Sequence, residues 1–173
     1  METDAIQAAV RTVEDFPTPG VRFKDLTPVL ADPARFTATV ERLAAPFMGA
    51  GVTHVVAVEA RGYWFGGALA HRLGAGFVPA RKPGKLPAAT LREGYALEYG
   101  TDALEIHADA LPEGARVLVH DDVIATGGTA AAVCRLVERA GAIVTGCSFV
   151  LEIAGLGGRE RLPSGVPVRA VLR

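Results

Sequence analysis

Two adjacent carboxylates head a glycine-rich turn in the segment VLVHDDVIATGGTA, residues 117 to 130. An apolar run delivers Asp121 and Asp122, small residues follow, and Thr126-Gly127-Gly128-Thr129 opens what reads as a helix. That order suits a phosphate monoester. Glycines let the backbone come close, amides converge on the anion, the Thr126 and Thr129 hydroxyls donate, and a helix N-terminus adds positive potential. Acids beside such a site would repel a phosphate. They suit the neighbouring hydroxyls of a sugar, or a cation developing on a sugar ring. An ordinary strand-to-helix turn with capping acids has the same spacing, and spacing alone leaves both readings open. No GxxxxGK[ST] occurs and no GxGxxG follows a strand, which argues against a P-loop ATPase and a dinucleotide dehydrogenase.

Basic residues supply the complementary charge. Arg61 lies in the turn EARG with Gly62 directly after it, which suits close backbone approach to a bidentately held anion; a surface arginine after a strand is the plain alternative. Arg81, Lys82 and Lys85 cluster ahead of a long irregular stretch, either as anion contacts or as a solvated charge run. The histidines His54, His71, His107 and His120 are scattered, with no pair at the spacing of a helical zinc motif. Cys134 and Cys147 form no CxxC pair and sit in apolar periodic segments, which reads as buried reduced thiols in a cytoplasmic protein.

These residues need a frame. Residues 4 to 13 are expected to form a short helix, and FPTPGVRFKDLTPVL, 16 to 30, an irregular loop with three prolines and a glycine. Asp32 and Pro33 read as N-cap and first helical residue, with Phe36, Val40, Leu43 and Phe47 at helical spacing and Gly49 as the stop. Strands are expected over 52 to 59, 76 to 82, 115 to 122 and 142 to 152, with a fifth in VPVRAVL. A helix over YWFGGALAHRLG separates the first two. Another follows TGGT, carrying Val133, Leu136, Val137 and Ala140 on one face and ending at Gly141. Residues 83 to 102 break the rhythm and read as a mobile excursion with some strand character; loops this long in a compact domain are usually functional. Strands alternating with helices predict an α/β fold built on a parallel sheet, with ligands at the C-terminal strand ends, where the loops after Val58, Arg81 and Val119 fall.

Bulk properties bound the function. The chain has 173 residues, the size of one domain spanning 1–173, and half of them are hydrophobic. Its 18 Lys plus Arg against 19 Asp plus Glu give a formal net charge of -1. Nothing in that balance favours nucleic acid or an anionic membrane, so anion affinity must come from a local site. The segment METDAIQAAV lacks the plan of a signal peptide and no apolar run reaches the length of a membrane span, so a cytoplasmic location is expected.

The acid pair followed by TGGT resembles the phosphoribosyl diphosphate loop of the type I phosphoribosyltransferases. FPTPGVRFKDLTPVL, then EARG with its aromatic-rich helix, then RKPGKLP leading to YALEYG, are similar to the adenine branch of that family. The four segments stand in family order and cover nearly the whole chain. The resemblance implies transfer of a phosphoribosyl group to adenine, giving AMP and diphosphate through an oxocarbenium-like transition state. It assigns Asp121 and Asp122 to the ribose, and Ala125, Thr126, Gly127, Gly128 and Thr129 to the 5-phosphate. Arg61, Gly62, Arg81, Lys82 and Lys85 go to the diphosphate, the last three from this or a neighbouring subunit. Phe23 stacks on adenine while backbone groups near Arg22 read its edge; Lys24 is a pocket residue or a surface charge. Glu98 exchanges the purine proton and Tyr99 helps seal the lid. Residues 1–31 become a base-binding hood and 83–102 a mobile catalytic loop. Mg2+ is held mainly by substrate oxygens, with no direct protein ligands; a homodimer is implied, and a cis Glu59–Ala60 peptide. His120 departs from the family, which has an apolar or small residue there; a satisfied core histidine or a catalytic one would account for it. The rival readings are another base (hypoxanthine, guanine, xanthine or orotate), a nucleic-acid-binding regulator, which would need a basic module, and a nucleotide-binding protein without chemistry, against which Glu98 argues.

Overall fold

The computed structural model describes residues 2–96 and 101–173. Its centre is a five-stranded parallel sheet formed by β3 (His54–Val58), β4 (Gly76–Ala80), β7 (Arg116–Ile124), β8 (Ile143–Glu152) and β9 (Val168–Leu172), in the order β4-β3-β7-β8-β9. β7, which carries the acid pair, is the middle strand. Its Val117 and Val119 join an apolar cluster with Val133, Leu136 and Val137 of α5 (Gly128–Arg139), and Leu118 joins the opposite cluster with Val40, Leu43, Phe65 and Leu69. Both faces are therefore covered, which is why these strands read as continuous apolar runs rather than alternating ones.

The second face is covered by α1 (Glu2–Ala9), the one-turn α2 (Thr27–Leu30), α3 (Pro33–Ala44) and α4 (Tyr63–Leu73). α3 starts as its sequence dictates: the Asp32 carboxylate accepts from the Arg35 amide at 2.9 Å, with Pro33 in the first turn. Gly74 ends α4 in the left-handed conformation, φ 66°.

Four expectations need revision. The helix expected over 4 to 13 ends at Ala9, and β1 (Arg11–Val13) pairs antiparallel with β2 (Phe23–Asp25). Residues 16 to 30 are thus not wholly irregular, since they hold β2 and α2. The partner of Thr12 and Val13 lies about ten residues on, so local periodicity could not see the pairing. The excursion at 83 to 102 contains most of a hairpin, β5 (Thr90–Ala96) against β6 (Thr101–His107), and β6 runs on past residue 102. Finally, β7 does not stop at Asp122 but continues to Ile124, so the acids lie within the strand. Cys134 and Cys147 are free, buried thiols, with their Sγ atoms 3.7 Å apart across the α5–β8 contact. Among the described residues no helix is long and apolar enough to cross a membrane.

Candidate active site

Successive residues of a strand face opposite sides, so Asp121 and Asp122 diverge although adjacent. Asp121 lines a cavity of about 100 Å3 with Val123, Ile124 and the loop Ala125–Ala130. Gly127 bends that loop with φ 77° and caps α5, whose first intrahelical bond here runs from the Ala131 amide to the Gly127 carbonyl at 2.9 Å. The amides just before Ala131 belong to the helix's first turn, where no carbonyl of the helix lies behind them, and they are free to meet an anion. Asp121 accepts the Asp122 amide at 2.9 Å. Burial, then the neighbouring charge of Asp122, hold the Asp121 carboxyl well above the usual carboxylate range. Asp122 is also pushed up by burial, against the pull of Arg61.

Arg61 spans two parts of the site. Its Nε lies 2.6 Å from Asp122 Oδ2, as a charge contact rather than an aligned hydrogen bond, and its Nη2 donates to the Lys24 carbonyl at 3.1 Å. The guanidinium also sits 4.5 Å from the Phe23 ring centroid and 5.7 Å from that of Trp64. Val21, Arg22, Phe23, Lys24 and Arg61 face Val123 and Ile153 across a mostly apolar slot of about 150 Å3. The Arg22 and Lys24 side chains are engaged elsewhere, by Glu14 at 3.0 Å and Thr12 at 2.8 Å, so their contribution to the slot is largely backbone. β1 therefore fixes the rim of this slot through side chains as well as through its ladder. Gly62 is required to be glycine, because a Cβ there would lie 2.6 Å from the Val58 carbonyl oxygen and 3.0 Å from Asp121 Oδ1. The Glu59–Ala60 peptide is cis.

The basic cluster is organised by an acid. Glu59, 8% exposed at its side chain, contacts Arg81 Nε at 3.0 Å and Lys85 Nζ at 3.4 Å, and accepts the Lys82 amide at 2.6 Å. Burial raises its pKa, but the Lys82 amide, Arg81 and Lys85 outweigh that and bring it below the ordinary value. Lys82 Nζ instead pairs with Asp102 at 3.0 Å, whose carboxylate also accepts from the Tyr95 hydroxyl at 3.4 Å; that hydroxyl interacts in turn with Thr129 of the glycine-rich loop. Hydrogen bonding from Lys82 keeps Asp102 below its ordinary value.

The structure thus brings Asp121, Asp122, Arg61, Gly62 and the loop 125 to 129 together, with Phe23 beside Arg61 and the Arg81, Lys82, Lys85 cluster joined to the same strand ends through Glu59. Glu98 and Tyr99 lie outside the described residues. His120 is wholly buried between Ala57 of β3 and Ser148 of β8, with the Ser148 backbone as its one weak polar contact and neither ring nitrogen in a well-aligned hydrogen bond; burial outweighs that contact and lowers its pKa to about 4. Sequence reasoning missed Glu59, Tyr95, Asp102, Val123 and Ile153. The first was signalled by its place in EARG, the next two by the hairpin's polar pattern, and the apolar pair by no local feature. Among the described residues no three or more His, Cys, Asp or Glu side chains gather as a metal cluster.

A parallel sheet whose central strand carries paired carboxylates onto a glycine-rich helix N-terminus, facing an arginine and an apolar slot, is built to hold a phosphorylated sugar beside a flat group. The chain belongs to the phosphoribosyl transferase domain family, whose model matches residues 30–161. The relatives it resembles are more particular. It is 54% identical to the adenine phosphoribosyltransferase of Synechococcus sp. (strain JA-2-3B'a(2-13)) and 50% to that of Maricaulis maris (strain MCS10), in each case over 96% of both chains. The crystal structure of adenine phosphoribosyltransferase from Rhodothermus marinus DSM 4252 superposes with TM-score 0.95 at 57% identity, covering 99% of this chain and 97% of that one. That of Saccharomyces cerevisiae, complexed with D-2,5-dideoxy-2,5-imino-altritol 1,6-bisphosphate and adenine, superposes with TM-score 0.94 at 37% identity, covering 99% and 98%.

Proposed function

We propose that the chain transfers the 5-phosphoribosyl group of phosphoribosyl diphosphate to adenine, giving AMP and diphosphate in purine salvage. The observation that carries this reading is the acid pair at the head of the loop Ala125–Ala130, with an apolar slot across Arg61. The 5-phosphate lies on the loop and the ribose hydroxyls face Asp121 and Asp122. Positive charge growing on the ribose ring as the C1–diphosphate bond breaks is stabilised by that pair. Arg61, Gly62, Arg81, Lys82 and Lys85 receive the diphosphate, Arg61 exchanging its Asp122 contact for the incoming anion. Adenine lies in the slot against Phe23, Val123 and Ile153, and backbone groups near Arg22 read its edge. Adenine donates at its 6-position where hypoxanthine and guanine accept, so a carbonyl there discriminates between them. Glu98 exchanges the proton that the purine loses as its ring nitrogen bonds to C1.

Mg2+ carried on the diphosphate and ribose oxygens neutralises the leaving group; the isolated acid pair, with no third ligand nearby among the described residues, fits a metal held chiefly by substrate. Residues 1–31 act as a hood over the base, 83–102 as a lid carrying Glu98 and Tyr99, and the enzyme works as a homodimer in the cytoplasm. The test is release of diphosphate from phosphoribosyl diphosphate and Mg2+ with each purine in turn. Adenine is expected to give much the highest kcat/KM. A higher value for guanine or hypoxanthine overturns the base assignment, and no release with any base overturns the reaction.

A further inference from the structure

The glycine-rich loop has a second support that the reaction does not use directly. A Cβ built on Gly127 would fall 3.0 Å from Gly158 Cα and closer still to the Gly158 carbonyl oxygen; one built on Gly158 would fall 2.8 Å from Ile124 Cγ1 and closer to the Ala125 carbonyl oxygen. The two backbones are in direct contact, with no room for a side chain on either. Gly158 opens a short 3-10 turn, Gly158–Arg161, and is buried. That turn is anchored by its next residue. Arg159 Nε and Nη2 donate to the two oxygens of Glu152 at 2.6 and 2.8 Å, and Nη1 donates to the Val168 carbonyl at 2.8 Å. Glu152 ends β8 and lies in register with Ile124, the residue that leads into the loop. The Ile153 amide closes the same corner on the Ile124 carbonyl at 2.9 Å.

We propose that Gly158 is a positioning residue for the phosphate loop, and that the Arg159–Glu152 fork holds it against Gly127 and Ala125. This rests on the reading of Ala125–Thr129 as the site of the 5-phosphate. An anion held by converging amides is sensitive to their aim, and Gly158 is the backbone on which the bend at Gly127 rests. The bidentate fork matters because its planar geometry fixes the turn's direction as well as its distance, which a lysine cannot do. A methyl group at Gly158 must displace the Ala125 carbonyl and the Ile124 side chain, and with them the start of the loop that bends at Gly127. The Phe23 and Arg22 wall of the apolar slot lies outside that path, while Val123 and Ile153 of its other wall only adjoin Ile124.

The experiment measures binding of AMP, inorganic phosphate and adenine by calorimetry to the full chain, its Gly158→Ala variant, Arg159→Lys and Arg159→Ala, alongside Tm. Gly158→Ala is expected to weaken AMP and phosphate by about tenfold or more, as a displacement of about 1 Å should, while adenine binding changes far less. Arg159→Ala should weaken AMP in the same direction, and Arg159→Lys should recover little of it. A purely structural role would instead lower Tm and all three affinities together. AMP binding kept at wild-type strength in Gly158→Ala overturns the proposal, and so does loss of adenine binding in proportion to AMP. Should Gly158→Ala not fold, Arg159→Lys at its half-buried position decides the matter by the same criterion. If inorganic phosphate fails to compete with AMP on the unaltered chain, the loop assignment itself is wrong, a result distinct from failure of the Gly158 role.

Discussion

Asp121 is placed where it is useful and where the fold would do better without its charge. Its carboxyl is pushed well up by burial and by Asp122, so ionising it in the folded chain opposes stability. An acid with a raised folded pKa stabilises fully only below its unfolded value, and that contribution is lost as pH rises through the folded one. Asp121→Asn is therefore expected to raise Tm at neutral pH while lowering turnover by about 10²-fold or more, since it removes charge aimed at the ribose cation. A variant with full activity would make Asp121 a mere turn residue. Arg61→Ala has the opposite balance: it should lower Tm, because Asp122 stays buried without its 2.6 Å partner. It should also weaken phosphoribosyl diphosphate more than AMP, which has no diphosphate; equal weakening of both ligands would place Arg61 away from the leaving group. Glu98→Gln should cost about 10²–10⁴-fold in turnover under conditions where chemistry is rate-limiting, with substrate binding little changed. The acids, the loop and Arg61 were legible because their chemistry is local to one strand-to-turn segment. Glu59 was not, since its meaning depends on Arg81 and Lys85, more than twenty residues away. Val123 and Ile153 were invisible because only the pairing of β7 with β8 sets them opposite Phe23.

Among the elements, the β5–β6 hairpin is tied to α5 along β5 and to the glycine-rich loop further on. Glu93 on β5 binds Arg135 Nε at 2.6 Å and Arg139 Nη1 at 2.9 Å on α5, tying the hairpin's root to the helix that begins in the phosphate loop. Toward the hairpin's tip the ties are Lys82 with Asp102 and Tyr95 with Thr129, both involving residues that the proposed reaction recruits. Substrate that recruits Lys82 and Thr129 must therefore exchange these contacts, while the root stays fixed. Glu93→Gln leaves the tip contacts in place and loosens the root. It should lower kcat several-fold with little change in the KM for adenine, and hasten proteolytic cleavage near residues 90 to 107 while global Tm barely moves. Unchanged kcat and unchanged cleavage would show that the root carries no function. Sequence patterning found the sheet and its major helices because buried parallel strands and amphipathic helices have strong local signals. It misread residues 11 to 13, and saw in 83 to 102 strand character without the hairpin, because antiparallel pairing of short strands depends on partners that periodicity does not reveal.

Across the whole molecule, two sets of buried groups pull the pH dependence of stability in opposite directions. His120 sits uncharged in the central sheet with its pKa lowered to about 4 from 6.5. A base with a depressed folded pKa contributes fully above its unfolded value and loses that contribution as pH falls toward the folded one, here between 6.5 and about 4. At about 1.4 kcal/mol per pH unit the loss amounts to about 3 kcal/mol. The Asp121–Asp122 pair works the other way, because its raised pKa values let the fold gain stability as protons bind while pH falls toward their ordinary value of 3.8. Glu59, Asp102 and Glu152, all depressed, enter only nearer their ordinary values of 4.5, 3.8 and 4.5, where protonation breaks their ion pairs. In wild type the two sets therefore oppose each other as pH falls below 6.5, and Tm should fall steeply below about pH 4.5 as the carboxylates lose their partners. His120→Leu removes one arm. Its Tm advantage over wild type should widen as pH falls from 6.5 toward about 4, the interval over which His120 takes up a proton only when unfolded. Asp121→Asn removes much of the other, and its Tm should decline over the same interval as His120 takes up its proton only in the unfolded chain. Thermal melts of the three proteins at half-unit pH steps separate the arms. Parallel profiles for wild type and His120→Leu would show that the histidine takes no part in the pH response.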